Sequence, residues 1–235
     1  KRRSKYLIFE IGQNFLMLVH LGMTGKFFFI DNKAKKYKTS FYYSLNKKDL
    51  KHDRVVFVLQ NNQKLIYNDV RKFGFIKIFE LNKYGIYPHL KDLGPEPLRN
   101  NWNSKYFKKF IFGRKRIIKN ILMDQKFISG IGNIYVNEIL FASGIRPDKK
   151  VEHLSDDEIK KIVIHTKKIL KNAIRLGGST IKDFSSENGK KGFFQQHFNV
   201  YGRKDKRCSN VDCNMNIIKM TLSNRATFFC KRCQK

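Results

Sequence analysis

Acidic residues are scarce in this chain of 235 residues: 19 Asp and Glu face 49 Lys and Arg, leaving a net charge of +30. A surplus of that size makes a polyanion the natural counterpart. Lys, Asn and Ile are abundant together, as AT-rich coding sequences supply them, which explains part of the lysine excess. It explains neither the acidic deficit nor the placement of the arginines. Long apolar runs are missing too. A stretch such as Phe27 to Ile30 is far short of the roughly 20 residues that span a bilayer, and no basic segment carries the continuous apolar face of a membrane-surface helix. The expectation is therefore a cytoplasmic nucleic-acid-binding protein, nucleoid-associated while acting, with no membrane partner. At this length there is room for more than one core.

Cysteine is absent until Cys208, and the four present form two short pairs, Cys208/Cys213 and Cys230/Cys233, set among Lys, Arg and aromatics. Four thiolates around one structural Zn2+ hold together a hairpin module too small to fold on apolar burial alone. Disulfides are the alternative. They require an oxidising compartment, for which no apolar signal segment at Lys1 gives a sign.

From Tyr6 to Phe79, β-branched and aromatic runs alternate with turn residues, predicting strands at Tyr6–Ile11, Phe15–His20, Lys26–Ile30, Arg54–Gln60, Lys64–Asn68 and Phe73–Phe79. Breaks at Gly12–Gln13, Gly22–Gly25 and Asn61–Asn62 supply residues that tolerate positive φ. Three of the four prolines fall between Tyr84 and Asn101, marking a linker. Helical spacing follows over Arg116–Asp124, Ile134–Ala142 and Ser155–Leu176. Ser155 and Glu158 form a capping box and Gly177 a stop. Ile159, Ile162, Val163, Ile169, Leu170, Ala173 and Ile174 make one apolar stripe. A polar stretch from Ser185 to Gly192 precedes the cysteine module, which begins near Tyr201.

Gly130-Ile131-Gly132-Asn133 resembles the opening of a dinucleotide fingerprint, but it lacks the third glycine and follows a helix instead of a strand. No nucleotide cofactor is expected. Glycine backbone amides and the N-terminus of the next helix suit a phosphate. A plain helix-to-helix turn capped by Asn133 suits the same residues, and this segment alone leaves both open.

A series of segments then occurs in a fixed order. It runs Arg2-Arg3-Ser4-Lys5-Tyr6-Leu7, His20-Leu21-Gly22-Met23-Thr24-Gly25, Asp69-Val70-Arg71-Lys72-Phe73-Gly74, Leu93-Gly94-Pro95-Glu96-Pro97-Leu98 and Leu122-Met123-Asp124-Gln125. It continues with the Gly130 to Tyr135 segment, Thr180-Ile181-Lys182-Asp183-Phe184, Val200-Tyr201-Gly202-Arg203-Lys204, and Arg225 to Cys233. Together these resemble the bacterial formamidopyrimidine-DNA glycosylases over essentially the whole chain. The resemblance implies an α+β protein in three parts: a partial antiparallel β-sandwich over residues 1–92, a helix-two-turns-helix region over 93–200 with a lesion-capping loop, and a C-terminal zinc finger over 201–235. It implies a monomer that binds double-stranded damaged DNA across a cleft, flips out an oxidised purine such as 8-oxoguanine or formamidopyrimidine, cleaves the N-glycosidic bond and nicks the abasic site by β,δ-elimination.

By residue-by-residue matching, Met23, Arg71 and Phe73 are the wedge that fills the vacated stack. A thioether and an aromatic ring suit the apolar void, and a guanidinium suits the orphaned base. His52, Arg114, Lys119, Asn133 and Arg225 match phosphate-gripping residues. Lys5 matches the amine of the first elimination, with a pKa that Arg2 and Arg3 would lower if close in space. Arg225 is also implicated in the second elimination, where a guanidinium is better suited to stabilising the departing phosphate than to donating a proton.

The family's nucleophile, an amino-terminal proline followed by glutamate, is not found, since the sequence opens at Lys1 inside the expected first domain. The expectation is a truncated copy that binds damaged DNA, excises poorly and has a first domain of marginal stability. Val70 stands where the family usually has proline, and the first cysteine pair is spaced by four residues in place of two. Two other readings compete. An oxidised-pyrimidine glycosylase of the sister family shares the architecture, although Ser185 to Gln196 resembles a loop that caps a flipped purine. A non-enzymatic zinc-ribbon protein would need the charge and the metal but no catalysis.

Overall fold

The computed structural model describes residues 1–30, 36–38, 51–84, 86–179 and 194–235. It is an α+β protein whose contacts fall into two units. One comprises Lys1–Lys91 with Gly177–Ser179, the other Asp92–Leu176 with Phe194–Lys235.

The first unit holds two four-stranded antiparallel sheets. Strands β1 (Arg2–Arg3), β2 (Tyr6–Ile11), β3 (Phe15–His20) and β8 (Phe75–Glu80) lie in the order β1-β2-β3-β8. Strands β4 (Lys26–Ile30), β5 (Lys36–Lys38), β6 (Asp53–Val58) and β7 (Lys64–Asn68) lie in the order β5-β4-β7-β6. Met17 and Val19 of the first sheet pack on Phe27 and Tyr67 of the second, which makes the pair a sandwich. Leu16 and Leu18, which point to the other face of β3, are buried as well, so Phe15 to His20 is apolar at nearly every position. The expected breaks carry left-handed backbone, with φ of 57° at Gly12, 62° at Gly22, and 59° and 58° at Asn61 and Asn62. The sixth expected strand starts two residues later than its sequence suggests, at Phe75, because the preceding residues form a tight loop described below.

The second unit contains α2 (Ser104–Ile111), α3 (Ile118–Met123), α4 (Asn133–Ser143), α5 (Asp156–Arg175) and the hairpin β9 (Ile218–Leu222) and β10 (Arg225–Phe229), while the short α1 (Pro88–Lys91) closes the first. Fully buried Trp102, Phe107, Phe127, Ile118, Leu122, Ile139 and Ile162 form its core. Ser155 caps α5 through the full capping box, and Gly177 follows with φ of 73°. The α5 stripe is narrower than its spacing suggests: Ile174 is 67% exposed, while Ile159, Ile162, Val163 and Ala173 are buried. Helix α2 had no counterpart in the sequence reading. Its cap is Asn103, whose side chain accepts from the Tyr106 amide at 2.9 Å, and it buries only Phe107 and Ile111, one turn apart. Among the described residues no helix is long and apolar enough to cross a membrane.

Candidate nucleic-acid interface and metal centre

In the first unit, Met23 sits between β3 and β4, and Arg71 and Phe73 sit between β7 and β8. Met23 is 53% exposed and Phe73 57%, large apolar groups held in water by loops with little freedom. The two loops pack backbone to backbone. A Cβ at Gly22 would lie 2.6 Å from the Gly74 nitrogen, and one at Gly74 would collide with the Tyr67 hydroxyl. Lys72 adopts φ of 57°, which turns the chain so that the Arg71 guanidinium lies over the Phe73 ring at 4.6 Å. This cation–π stack presents a charged, flat group at the loop tip.

Beneath the tips lies Asp69, 1% exposed. Its carboxylate accepts from the Thr24 hydroxyl, from the Gly74 amide at 2.9 Å and from the Tyr67 hydroxyl at 3.2 Å. Thr24 Oγ1 in turn accepts from the Arg71 amide at 3.0 Å. Burial alone would raise the Asp69 carboxyl, but these donors outweigh it and hold it below the ordinary carboxylate range. Burial and the neighbouring carboxylate push the Tyr67 phenol up, so it remains a donor. With valine at position 70, half exposed, the turn is secured by these bonds and not by a proline ring.

His52 and Lys5 lie in the same unit. The His52 carbonyl accepts from the Asp69 amide at 3.0 Å, and its Nδ1 lies 3.2 Å from the Arg54 guanidinium. Lys5 is exposed just after Ser4, a turn residue with φ of 55°. On the neighbouring strand, burial first and then the charge of Lys5 depress the pKa of His20. The His20 Nδ1 accepts from the Gly22 amide at 3.1 Å, so a neutral imidazole steadies the Met23 loop from its other end.

In the second unit, α3, the start of α4 and the β9–β10 hairpin converge. Lys119 is 1% exposed. Its Nζ donates to Thr227 Oγ1 at 2.6 Å and to the Ala226 carbonyl at 3.3 Å, and Asn133 Nδ2 donates to the same carbonyl at 2.9 Å. Burial and the nearby charge of Arg225 push Lys119 down to about 8. Arg225 itself is exposed at the hairpin start of β10. The tip residues Ser223 and Asn224 have φ of 49° and 59°, the two-residue turn suited to the twist of a hairpin. Asn120 donates to Ser223 Oγ at 2.8 Å, and Asn137 accepts from the Phe228 amide at 2.7 Å. The structure thus brings Lys119, Asn133 and Arg225 together. Arg114 is placed elsewhere in the unit, bonded to the Phe110 carbonyl at 2.6 Å and stacked on that ring.

The glycine turn differs from the phosphate-cradle reading. The Gly130 amide already donates to Gln125 Oε1 at 2.8 Å, and Gln125 Nε2 donates to the Ile131 carbonyl at 2.9 Å. Gly132, not Asn133, caps α4, and no side chain bonds there. Asn133 is therefore free of a capping task and turns to the hairpin. The capping-loop expectation for Ser185 to Gln196, like the Thr180 to Phe184 segment, lies outside the described residues up to 193.

The four cysteine sulfurs lie within 4.8 Å of one another. Cys208 and Cys233 are 3.8 Å apart and Cys213 and Cys230 3.6 Å, far from the ~2.05 Å of a disulfide. Tetrahedral zinc–thiolate bonds of about 2.3 Å place their sulfurs roughly 3.8 Å apart, so the set fits such an ion. Burial pushes the Cys208 thiol up to about 12; a dication offsets that cost by favouring thiolate. The module is fastened to the helices. Gln234 donates to the Ile145 carbonyl at 2.8 Å and accepts from the Cys230 amide at 2.9 Å, and the Lys235 amide bonds the Gly144 carbonyl at 2.9 Å. Glu138, buried on α4, accepts from the amides of Asn199, Val200 and Tyr201 at 2.9, 3.0 and 2.8 Å, fixing the entry to the module. Sequence reasoning missed Asp69, Thr24, Asn137, Glu138 and Thr227 as parts of these sites. The only signal was that Asp69, Thr24 and Thr227 lie inside three of the quoted segments.

The chain is similar to known proteins over its whole length. Residues 1–76 match the family described as formamidopyrimidine-DNA glycosylase N-terminal domain, and residues 93–185 match its H2TH domain. The formamidopyrimidine-DNA glycosylase of Rickettsia felis is 40% identical over 234 residues, covering 100% of this chain and 79% of that protein. Two crystal structures from Lactococcus lactis each cover 100% of this chain and 80% of theirs at 34% identity. One is a mutant bound to Fapy-dG-containing DNA, with a TM-score of 0.84, and the other is bound to abasic-site DNA, with a TM-score of 0.83.

Proposed function

Because the chain belongs to the formamidopyrimidine-DNA glycosylase family of base-excision enzymes, we propose that it recognises oxidised purines in duplex DNA, in the cytoplasm and as a monomer, by replacing a flipped nucleotide with Met23, Arg71 and Phe73. The observation that carries this is the exposure of a thioether and a phenyl ring on two loops that are locked together, with a guanidinium stacked between water and ring. Exposed apolar groups on rigid loops suit insertion into a base stack, where unstacking costs a few kcal/mol and the inserted groups refill the gap.

Lys119, Asn133 and Arg225 would hold backbone phosphates at the helix and hairpin ends, with His52 and Arg114 as further contacts. Residues 1–92 then carry lesion reading, 93–200 most of the backbone grip, and 201–235 the finger. A structural zinc ion on Cys208, Cys213, Cys230 and Cys233 would set the hairpin that carries Arg225. In the elimination chemistry of the family, Lys5 moves the proton of the first step and Arg225 stabilises the departing phosphate.

The test is binding of the full chain to a duplex bearing a stable tetrahydrofuran abasic analogue, to the intact duplex, and to 8-oxoguanine and thymine glycol duplexes in competition. The expected result is a preference for tetrahydrofuran and 8-oxoguanine that Met23→Ala/Arg71→Ala/Phe73→Ala removes. Unchanged discrimination in the triple variant refutes the reading, and a preference for thymine glycol moves it to the oxidised-pyrimidine class.

A further inference from the structure

Each of the three exposed tip residues is no more than one peptide from the same buried carboxylate network. Met23 precedes Thr24, whose hydroxyl donates to Asp69. The amide of Arg71 donates to that same hydroxyl. Phe73 precedes Gly74, whose amide donates to the other Asp69 oxygen. Tyr67, rooted in the sandwich core, donates to that oxygen too. Asp69 is anchored by its own backbone: the amide donates to His52 and the carbonyl accepts from the Arg54 side chain at 2.9 Å.

We propose that Asp69 and Thr24 form a positioning clasp that couples the Met23 loop to the Arg71–Phe73 loop, so that the wedge enters the stack as one rigid piece and lesion discrimination depends on the clasp. This rests on the wedge reading above and adds the residues that make it rigid. Two surface loops carrying exposed apolar tips would otherwise have to be ordered on binding, at about 1–2 kcal/mol per backbone residue fixed. The clasp meets that cost during folding, as preorganisation generally does. Thr24 is the link because one hydroxyl both donates to the carboxylate and accepts from Arg71. Removing it leaves a buried carboxylate oxygen and an amide without those partners while the methyl packing stays.

Thr24→Val, Asp69→Asn and Tyr67→Phe form a graded series on the full chain. Valine matches threonine in shape and breaks both hydroxyl bonds. Asparagine keeps one acceptor but turns an NH2 towards the donors. Phenylalanine deletes a single bond and keeps the ring in the core. Two measurements are read: the ratio of affinities for tetrahydrofuran-containing and intact duplex, and the fluorescence of 2-aminopurine opposite the tetrahydrofuran, which reports the state of the opposing stack. Hydrogen bonds to a charged group predict a loss of discrimination of roughly 10-fold or more for Thr24→Val and Asp69→Asn, a smaller one for Tyr67→Phe, and recovery in Thr24→Ser, which restores the hydroxyl. Affinity for intact duplex should stay within about 2-fold, because Lys119, Asn133 and Arg225 belong to the other unit and His52 meets Asp69 through its backbone carbonyl, which the substitutions leave in place; a general folding defect would lower both affinities. If the triple wedge variant loses discrimination while Thr24→Val and Asp69→Asn match the wild type, the clasp is wrong and the wedge stands. If the triple variant itself discriminates normally, both fall. Should Thr24→Val and Asp69→Asn fail to fold by circular dichroism, Tyr67→Phe and Thr24→Ser decide: wild-type discrimination in the first or a deficit in the second overturns the clasp.

Discussion

Lys119→Met should make the protein more stable and bind DNA less well. The lysine ammonium is buried beneath the hairpin, where burial and Arg225 lower its pKa from 10.5 to about 8. A tenfold change in proton affinity corresponds to about 1.4 kcal/mol, so holding the charge at neutral pH costs up to about 3 kcal/mol. One partner, the Ala226 carbonyl, is only part-buried, and screening brings the cost nearer 1–2 kcal/mol. Methionine fills a similar volume and strands nothing: Ala226 retains Asn133, and Thr227 Oγ1 retains its bond to the Arg225 carbonyl at 3.1 Å. The sign follows from proton counting. Between pH 8 and 10.5 the unfolded chain binds more protons at this site, so wild-type stability rises with pH across that window and the penalty is fully present below it. In Lys119→Met that rise is absent. Trp102 is the single tryptophan and is fully buried in the same unit, so its fluorescence in guanidinium, with zinc supplied, follows the unit that carries the mutation. Binding is measured on the tetrahydrofuran duplex across a salt series, where loss of one phosphate cation should lower the log–log slope by about 1 and weaken binding about 10-fold at low salt. A variant less stable than wild type at pH 7, or an unchanged salt slope, would refute this account of Lys119.

Two further outcomes are expected. Stripping metal with a chelator, or Cys213→Ser, should release about one zinc ion per chain by colorimetric assay and abolish tight DNA binding, because the hairpin that meets Lys119 and Asn133 is held by those thiolates; full binding after complete metal loss would contradict it. His20, depressed by burial, Lys5 and His89, should titrate below 6.5 by NMR. The folded state then binds fewer protons than the unfolded one, so the first unit loses stability as pH falls below 6.5, and the Gly22 amide loses its acceptor when the ring protonates.

The strands were legible because each apolar run is short and ends at a residue that can take positive φ, as at Gly12, Gly22 and Asn61. Helix α5 was legible from its capping box, its apolar stripe and the glycine that follows it. Helix α2 was not, since Asn103 precedes a run of aromatics and lysines with only two buried positions, a pattern too brief to show a period. Ile174 misled because helical spacing says which residues share a face but not where the neighbouring elements end. The spacing of the cysteines announced a four-sulfur cluster, which the fold assembles. The clasp could not be read that way: Thr24 is 45 residues from Asp69, and Glu138 lies more than 60 from the amides it holds. A lone acid in a basic chain carries no signature until the fold closes around it.

The fastening of the finger also dictates an order of assembly. Phe228 meets Asn137 across 91 residues of sequence, and Gln234 meets Ile145 across 89, so these bonds close some of the largest loops in the chain and reward folding only after α4 exists. The helices should form first and offer a template, on which the hairpin docks while its thiols capture metal. During synthesis, the chain would lack the hairpin that meets Lys119 and Asn133 until residues 201–235 emerge.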